Sequence, residues 1–196
     1  MTQRTADISR RTNETDIQVA LALDPAPDQR NEINTGVGFF DHMLDHVARH
    51  GRIALRVTAK GDTHVDDHHT VEDVGIAIGQ AMGQALGDKA GIERYGFASV
   101  PMDEALARVS IDLSGRAALA FDVNFTSSRI GTFDVQLVRE FFHALTQNGR
   151  FACHVEAARG DNDHHVAEAI FKALGRSLRD AIRITGDEIP STKGVL

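Results

Sequence analysis

Val65–Asp73 reads VDDHHTVED, and Asp161–Ala169 reads DNDHHVAEA. The chain writes His-His-x-x-Glu twice, at His68–Glu72 and at His164–Glu168, and the flanking sequence repeats with it. Upstream, GRIALRVTAKGD (Gly51–Asp62) alternates as a strand does, with Ile53, Leu55 and Val57 on one face, and GRFACHVEAARGD (Gly149–Asp161) repeats the pattern with Phe151, Cys153 and Val155. Each strand turns through Gly-Asp into the doubled histidine. Downstream, Val71, Val74, Ile78, Met82 and Leu86 mark one amphipathic helix, and Val166, Ile170, Leu174 and Leu178 mark the other.

Self-similarity on this scale makes the chain an internal duplication. Before each strand lies a further helical stretch, Gly38–His50 and Phe133–Asn148, closing at the glycine that opens the strand. Before those come extended segments: IQVALAL (Ile17–Leu23), followed by the turn DPAPDQ, and then ARVSIDL (Ala107–Leu113) and ALAFDVNF (Ala118–Phe125) on either side of SGR. Each half thus reads strand, strand, helix, strand, helix. The expectation is an α+β fold of two tandem halves, 1–98 with a short N-terminal tail and 99–196. Each half is a mainly antiparallel sheet of the four-stranded type with two helices on one face, and together they make one compact domain.

At 196 residues with 42% hydrophobic and 25% charged, the chain can bury a core, and it has no apolar run long enough to span a membrane. No apolar signal-type segment opens it, and its single cysteine, Cys153, excludes an internal disulfide, so a cytoplasmic location is expected. A net charge of -7 argues against a nucleic-acid footprint.

On a helix, residues four apart share a face while neighbours diverge by about 100°. His68 can therefore act with Glu72, and His164 with Glu168, as a chelating pair. His69 and His165 point elsewhere and are free to reach the metal of the other motif. With only ten histidines in the chain, such a repetition points to two divalent ions rather than to two solvated helix starts. The duplication nominates one further ligand per half: His42 lies nine residues before Gly51, and Glu140 nine before Gly149. The expected sets are His42, His69, His164 and Glu168 for one ion and His68, Glu72, Glu140 and His165 for the other, with manganese, iron and zinc all suited to such donors. His46, His50, His143 and His154 are expected to pack or to support rather than to ligate.

Six ordered segments, RRTNET, GFFDHML, DDHHTVEDVGIAIG, PMDEALARVSIDLSGR, DNDHHVAEAIFKALGRSLR and PSTKG, cover nearly the whole chain and resemble the imidazoleglycerol-phosphate dehydratase family. The family pattern has histidine in many members where this chain has Glu140. The resemblance implies a hydro-lyase of L-histidine biosynthesis that converts imidazole glycerol phosphate to imidazole acetol phosphate and water. It also implies two Mn2+ per site and a homo-oligomer of 24 subunits built from trimers, with metal ligands drawn from neighbouring subunits. The substrate ring, held between both ions as an imidazolate, would push out the adjacent hydroxyl. On the same resemblance Glu14 is the acid/base, and His50 is a substrate contact. Arg94, Arg116, Ser191, Thr192 and Lys193 are expected to bind the phosphate. Asp103 and Glu104 are open between support and proton relay. The rival readings are a dinuclear metal hydrolase acting on a phosphate ester or amide, and a metal-stapled assembly without catalysis.

Overall fold

The computed structural model describes residues 4–196. In chain order the elements of the first half are β1 (Thr5–Arg11), β2 (Thr15–Ala22), β3 (Glu32–Asn34), α1 (Gly38–Gly51), β4 (Ala54–Gly61) and α2 (His68–Leu86). The second half continues with β5 (Tyr95–Met102), β6 (Ala105–Asp112), β7 (Ala118–Asp122), β8 (Arg129–Ile130), β9 (Phe133–Asp134), α3 (Gln136–Gly149), β10 (Ala152–Arg159) and α4 (Asp163–Ala181). Two four-stranded sheets form with matching orders, β1-β2-β4-β3 and β5-β6-β10-β7. In each, three strands are antiparallel and the short outer one, β3 or β7, runs parallel to its neighbour.

The duplicated α+β architecture is therefore present, with differences that have physical causes. Thr5–Arg11, not anticipated as a strand, is a paired edge strand; its burial alternates, but Arg10 follows Ala6 and Ile8 on the inner face, so the apolar pattern is too short to mark it. Strand β5 runs across the 98/99 division between halves. SGR does not close a hairpin, because β10 lies between β6 and β7. Helix α3 begins at Gln136, since Phe133 and Asp134 pair with β8 and the Asp134 side chain accepts from the Gln136 amide.

The apolar faces named from spacing are the buried ones. Val71, Val74, Ile78, Met82 and Leu86 on α2, and Val166, Ile170, Leu174 and Leu178 on α4, all belong to one core that spans both halves. Helix α2 packs on β1 and β2 of its own sheet and α4 on β5 and β6 of its own, but the helix–helix partners are exchanged: α2 lies on α3, and α1 on α4. The four helices form a layer between the two sheets. The crossings are close because each has a glycine at the contact. A Cβ on Gly79 would stand 2.6 Å from the Leu145 carbonyl oxygen, and one on Gly175 would stand 2.7 Å from that of Val47. These are backbone atoms, which cannot swing aside.

Gly175→Ala should consequently destabilise the fold by about 1–3 kcal/mol through overpacking. Chemical denaturation of the variant beside Gly83→Ala, whose Cβ would meet nothing within 4 Å, measures it, and equal stability of the two would contradict the account.

Candidate metal and acid-base site

Both histidine motifs open their helices on an Asx side chain. The Asn162 carboxamide oxygen accepts from the amides of His164 and His165, at 2.9 and 3.5 Å, and the Asp66 carboxylate accepts from the His68 amide at 2.8 Å. Asn162 thereby caps α4 and fixes its first turn, whereas the Asp66 bond lies one residue before the α2 N-cap, Asp67, whose own side chain caps nothing.

Where α1 lies against α4, ligand atoms of His42, His164 and Glu168 all fall within 4.8 Å of one another. His164 Nε2 is 3.3 Å from Glu168 Oε2, the four-residue pairing read from the motif. The other carboxylate oxygen is occupied: Lys172 Nζ stands 2.6 Å from Glu168 Oε1, and His46 Nε2 3.0 Å from it. Burial works against the Glu168 charge, but hydrogen bonding and attraction from the Lys172 ammonium outweigh it, and the carboxyl is held below its usual range. His46, also 3.2 Å from His42 Nε2, is pushed down to about 4, chiefly by burial, so its ring is neutral near pH 7. A neutral, half-buried ring against both His42 and Glu168 suits the supporting role expected of it. His50 stacks beyond His46 at 5.8 Å between ring centroids and is likewise lowered by burial and then by Lys172 and Arg176.

His69 and His165 sit apart from that cluster and resemble each other. Asp62 Oδ2 is 3.0 Å from His69 Nδ1, and Glu104 Oε2 is 2.7 Å from His165 Nδ1. In both cases the carboxylate raises the pKa of the ring, mainly through the hydrogen bond. Glu104 is itself held down to about 2 by His165 first and then by the Asn162 amide. A carboxylate accepting from Nδ1–H fixes the tautomer of the neutral ring and leaves the Nε2 lone pair available to a metal. Glu14, at the tip between β1 and β2, completes a second close group with Asp62 and His69, its Oε2 3.8 Å from His69 Nδ1. Glu104 occupies the same place in the second half, one residue before β6 as Glu14 is one residue before β2. Asp62 and Lys172 were not read from the sequence, and Glu104 takes the supporting one of the two roles left open for it. The signal for Asp62 was the Gly-Asp turn seven residues before His69.

His68, Glu72 and Glu140 join neither close group among the described residues. His68 lines an open polar cavity of about 420 Å³ with Asp66, Asp67 and Arg129, and Glu140 lies 3.7 Å from Arg139. A single chain thus gathers three of the four donors expected for one ion and does not gather the other set. The expected phosphate residues cluster elsewhere. Arg94 spans Asp112, at 2.7 and 3.2 Å, and the Pro190 carbonyl at 2.8 Å, so it fastens the PSTKG turn to β6. In that turn Ser191 Oγ accepts from the Lys193 amide, and Thr192 and Lys193 are exposed, as is Arg116. Burial, then Arg150, Arg94 and Arg116 hold the pKa of Lys89 down, while Asp112 opposes them; neither Lys89 nor Arg150 was anticipated in this basic patch. The Arg94 amide bonds the Ala181 carbonyl at the far end of α4, a 19-residue helix. At ~1.5 Å per residue this separates the patch from His164 by about 25 Å.

Imidazole nitrogens and a carboxylate from three positions form a donor set that suits a divalent ion of the manganese-to-zinc series. Glu168 fits as a one-oxygen ligand whose second oxygen is tied to lysine.

A family model for imidazoleglycerol-phosphate dehydratase matches residues 35–178. The chain is 56% identical to imidazoleglycerol-phosphate dehydratase of Bordetella avium (strain 197N) over 98% of its own length and 100% of the relative's. It is 52% identical to that of Caldicellulosiruptor saccharolyticus over the full length of both. Among solved structures it is similar to the enzyme from Staphylococcus aureus, with TM-score 0.84, 41% identity and coverage of 92% of this chain and 99% of that one. It is also similar to the Pyrococcus furiosus enzyme in complex with (S)-C348, with TM-score 0.84, 38% identity and coverage of 96% and 100%. The chain belongs to the imidazoleglycerol-phosphate dehydratase family.

Proposed function

We propose that this chain dehydrates imidazole glycerol phosphate to imidazole acetol phosphate, a step of L-histidine biosynthesis, in the cytoplasm and with two divalent ions, Mn2+ foremost. The observation that carries the reading is the matched pair of histidine-bearing helix starts, one beside a free carboxylate at Glu14. His42, His164 and Glu168 hold one ion together with His69 of another copy, and His68, Glu72, Glu140 and His165 supply the second. Bound divalent ions supply Lewis acidity to the substrate's imidazole ring.

The residues of the chain do the rest. Glu14 is exposed at a hairpin tip with its carboxylate no closer than 3.8 Å to a cationic partner, His69, so it is available to take the proton from the carbon next to the one that loses hydroxide. Removal of that proton and departure of the hydroxyl as water leave an enol, which becomes the ketone. Asp62 and Glu104 keep the His69 and His165 rings in one tautomer throughout. Arg116 and Lys193 offer exposed charge to the phosphate, while Arg94, already paired with Asp112, positions the turn that carries Ser191, Thr192 and Lys193.

The separation of about 25 Å between the basic patch and His164 exceeds the span of a small phosphorylated imidazole. One chain therefore does not close the site around its substrate, and a homo-oligomer, with the 24 subunits of the family resemblance, supplies the missing side.

Glu14→Gln should lower turnover about 10²- to 10⁴-fold with particle size and bound Mn2+ unchanged. Ketone formation from imidazole glycerol phosphate and phosphate release from generic phosphoesters are followed side by side; phosphate release without ketone would establish a hydrolase instead. Glu104→Ala should weaken Mn2+ binding about 10- to 100-fold in equilibrium dialysis, because the His165 ring loses its anchor. Sedimentation should show a large assembly, and a monomer with full turnover would sink the shared-site reading.

A further inference from the structure

The α2 residue after Glu72 is Asp73, a carboxylate only 6% exposed that neither the motif nor the duplication explains. Its Oδ1 receives Arg10 Nε at 3.0 Å and Nη2 at 2.8 Å, from the end of β1. Its Oδ2 receives the hydroxyl of Thr15, the first residue of β2. Asp73 therefore grips both strands on either side of the tip that carries Glu14.

The bonding continues into the tip. Thr12 Oγ1 accepts from the amides of Glu14 and Thr15, at 3.1 and 3.0 Å, and lies 3.1 Å from Thr15 Oγ1. The Thr15 proton is committed to Asp73, and both lone pairs of Thr12 Oγ1 are committed to amides, so the Thr12 hydroxyl donates to Thr15. Every proton in the relay from Thr12 to Thr15 to Asp73 thus has one direction, and each bond strengthens the next. The Thr12 amide also bonds the Thr15 carbonyl, at 2.9 Å, closing the turn.

We infer that Asp73, acting through Thr15 and Thr12, is a positioning residue that fixes the Glu14 carboxylate relative to the His69 ring. His69 and Asp73 are four apart on α2 and share its face toward β1 and β2, so the relay ties the acid/base to the helix that presents the ring. The second half carries no such relay. There Ala105 stands where Thr15 does at the start of its strand, Ala169 follows Glu168 as Asp73 follows Glu72, and Glu104 is bonded to His165 directly. The relay exists only in the half whose carboxylate is left free.

The inference rests on the proposed dehydratase activity, and wild type, Glu14→Gln, Thr15→Val and Thr15→Ser are assayed together. Thr15→Val keeps the volume and the Arg10–Asp73 pair but removes the hydroxyl; Thr15→Ser removes the methyl and keeps the hydroxyl. Misplacement of Glu14 should lower kcat of Thr15→Val about 10- to 100-fold. Assayed well below melting, KM and bound Mn2+ should stay within about twofold of wild type, while the melting temperature of Thr15→Val should fall because the buried Asp73 carboxylate loses a donor. Thr15→Ser should restore most of kcat although it loses packing. Thr15→Val with wild-type kcat, or a Thr15→Ser variant no more active than Thr15→Val, overturns the positioning role while leaving the dehydratase reading intact. A wild-type chain that forms no ketone overturns both.

Discussion

Everything in this fold depends on two helix crossings, α2 over α3 and α4 over α1, each closed at a glycine. With Gly79 against the Leu145 carbonyl and Gly175 against that of Val47, the backbones come closer than any side chain would allow. Because the partners belong to opposite halves, these crossings do more than pack the core. They set where the two histidine-bearing helix starts stand relative to α1 and α3. The grouping of His42 with His164 and Glu168 follows directly from the α1–α4 crossing.

On that shared frame the halves have diverged at the tip of the first hairpin. Glu104 turns inward, anchors His165 and caps the entry to α4 through the Asp161 and Asn162 amides. In the first half, Asp62 takes over the anchoring of His69, and Glu14 keeps no partner closer than 3.8 Å. One scaffold position thus holds a carboxylate bonded to histidine in one half and a carboxylate without a close partner in the other. The α1–α4 cluster is likewise asymmetric: Lys172 and His46 surround Glu168, whereas Ile76 and Ala144 hold the matching places beside Glu72 and Glu140.

Much of this was legible in the sequence because the signals were periodic. Four helices, the central strands and their buried faces follow from spacing, and the repeated His-His-x-x-Glu located both helix starts. Strand β1 escaped because its outer residues, Asp7, Ser9 and Arg11, and its half-buried Arg10 obscure the alternation. The sheet order escaped because nothing local in SGR says that β10 will lie between β6 and β7. Asp62 and Lys172 took their places only through three-dimensional approach, as did Asp73, whose partners are 58 and 63 residues away in the chain. His68, Glu72 and Glu140 do not gather with His165 within the chain, since spacing along a helix does not fix the distance between one helix and another.

The exchange of helix partners has a consequence for synthesis. When the first half leaves the ribosome, α1 and α2 are already amphipathic, yet their partners are residues 163–181 and 136–149, which have still to be made. Until then Val47 and Val74 face water beside an unclosed sheet, an aggregation-prone condition in a nascent chain. Each half leaves its helices without their packing partners, and such long-range contacts make completion slow relative to local helix formation. That interval ends only when α4, the last helix in chain order, is complete.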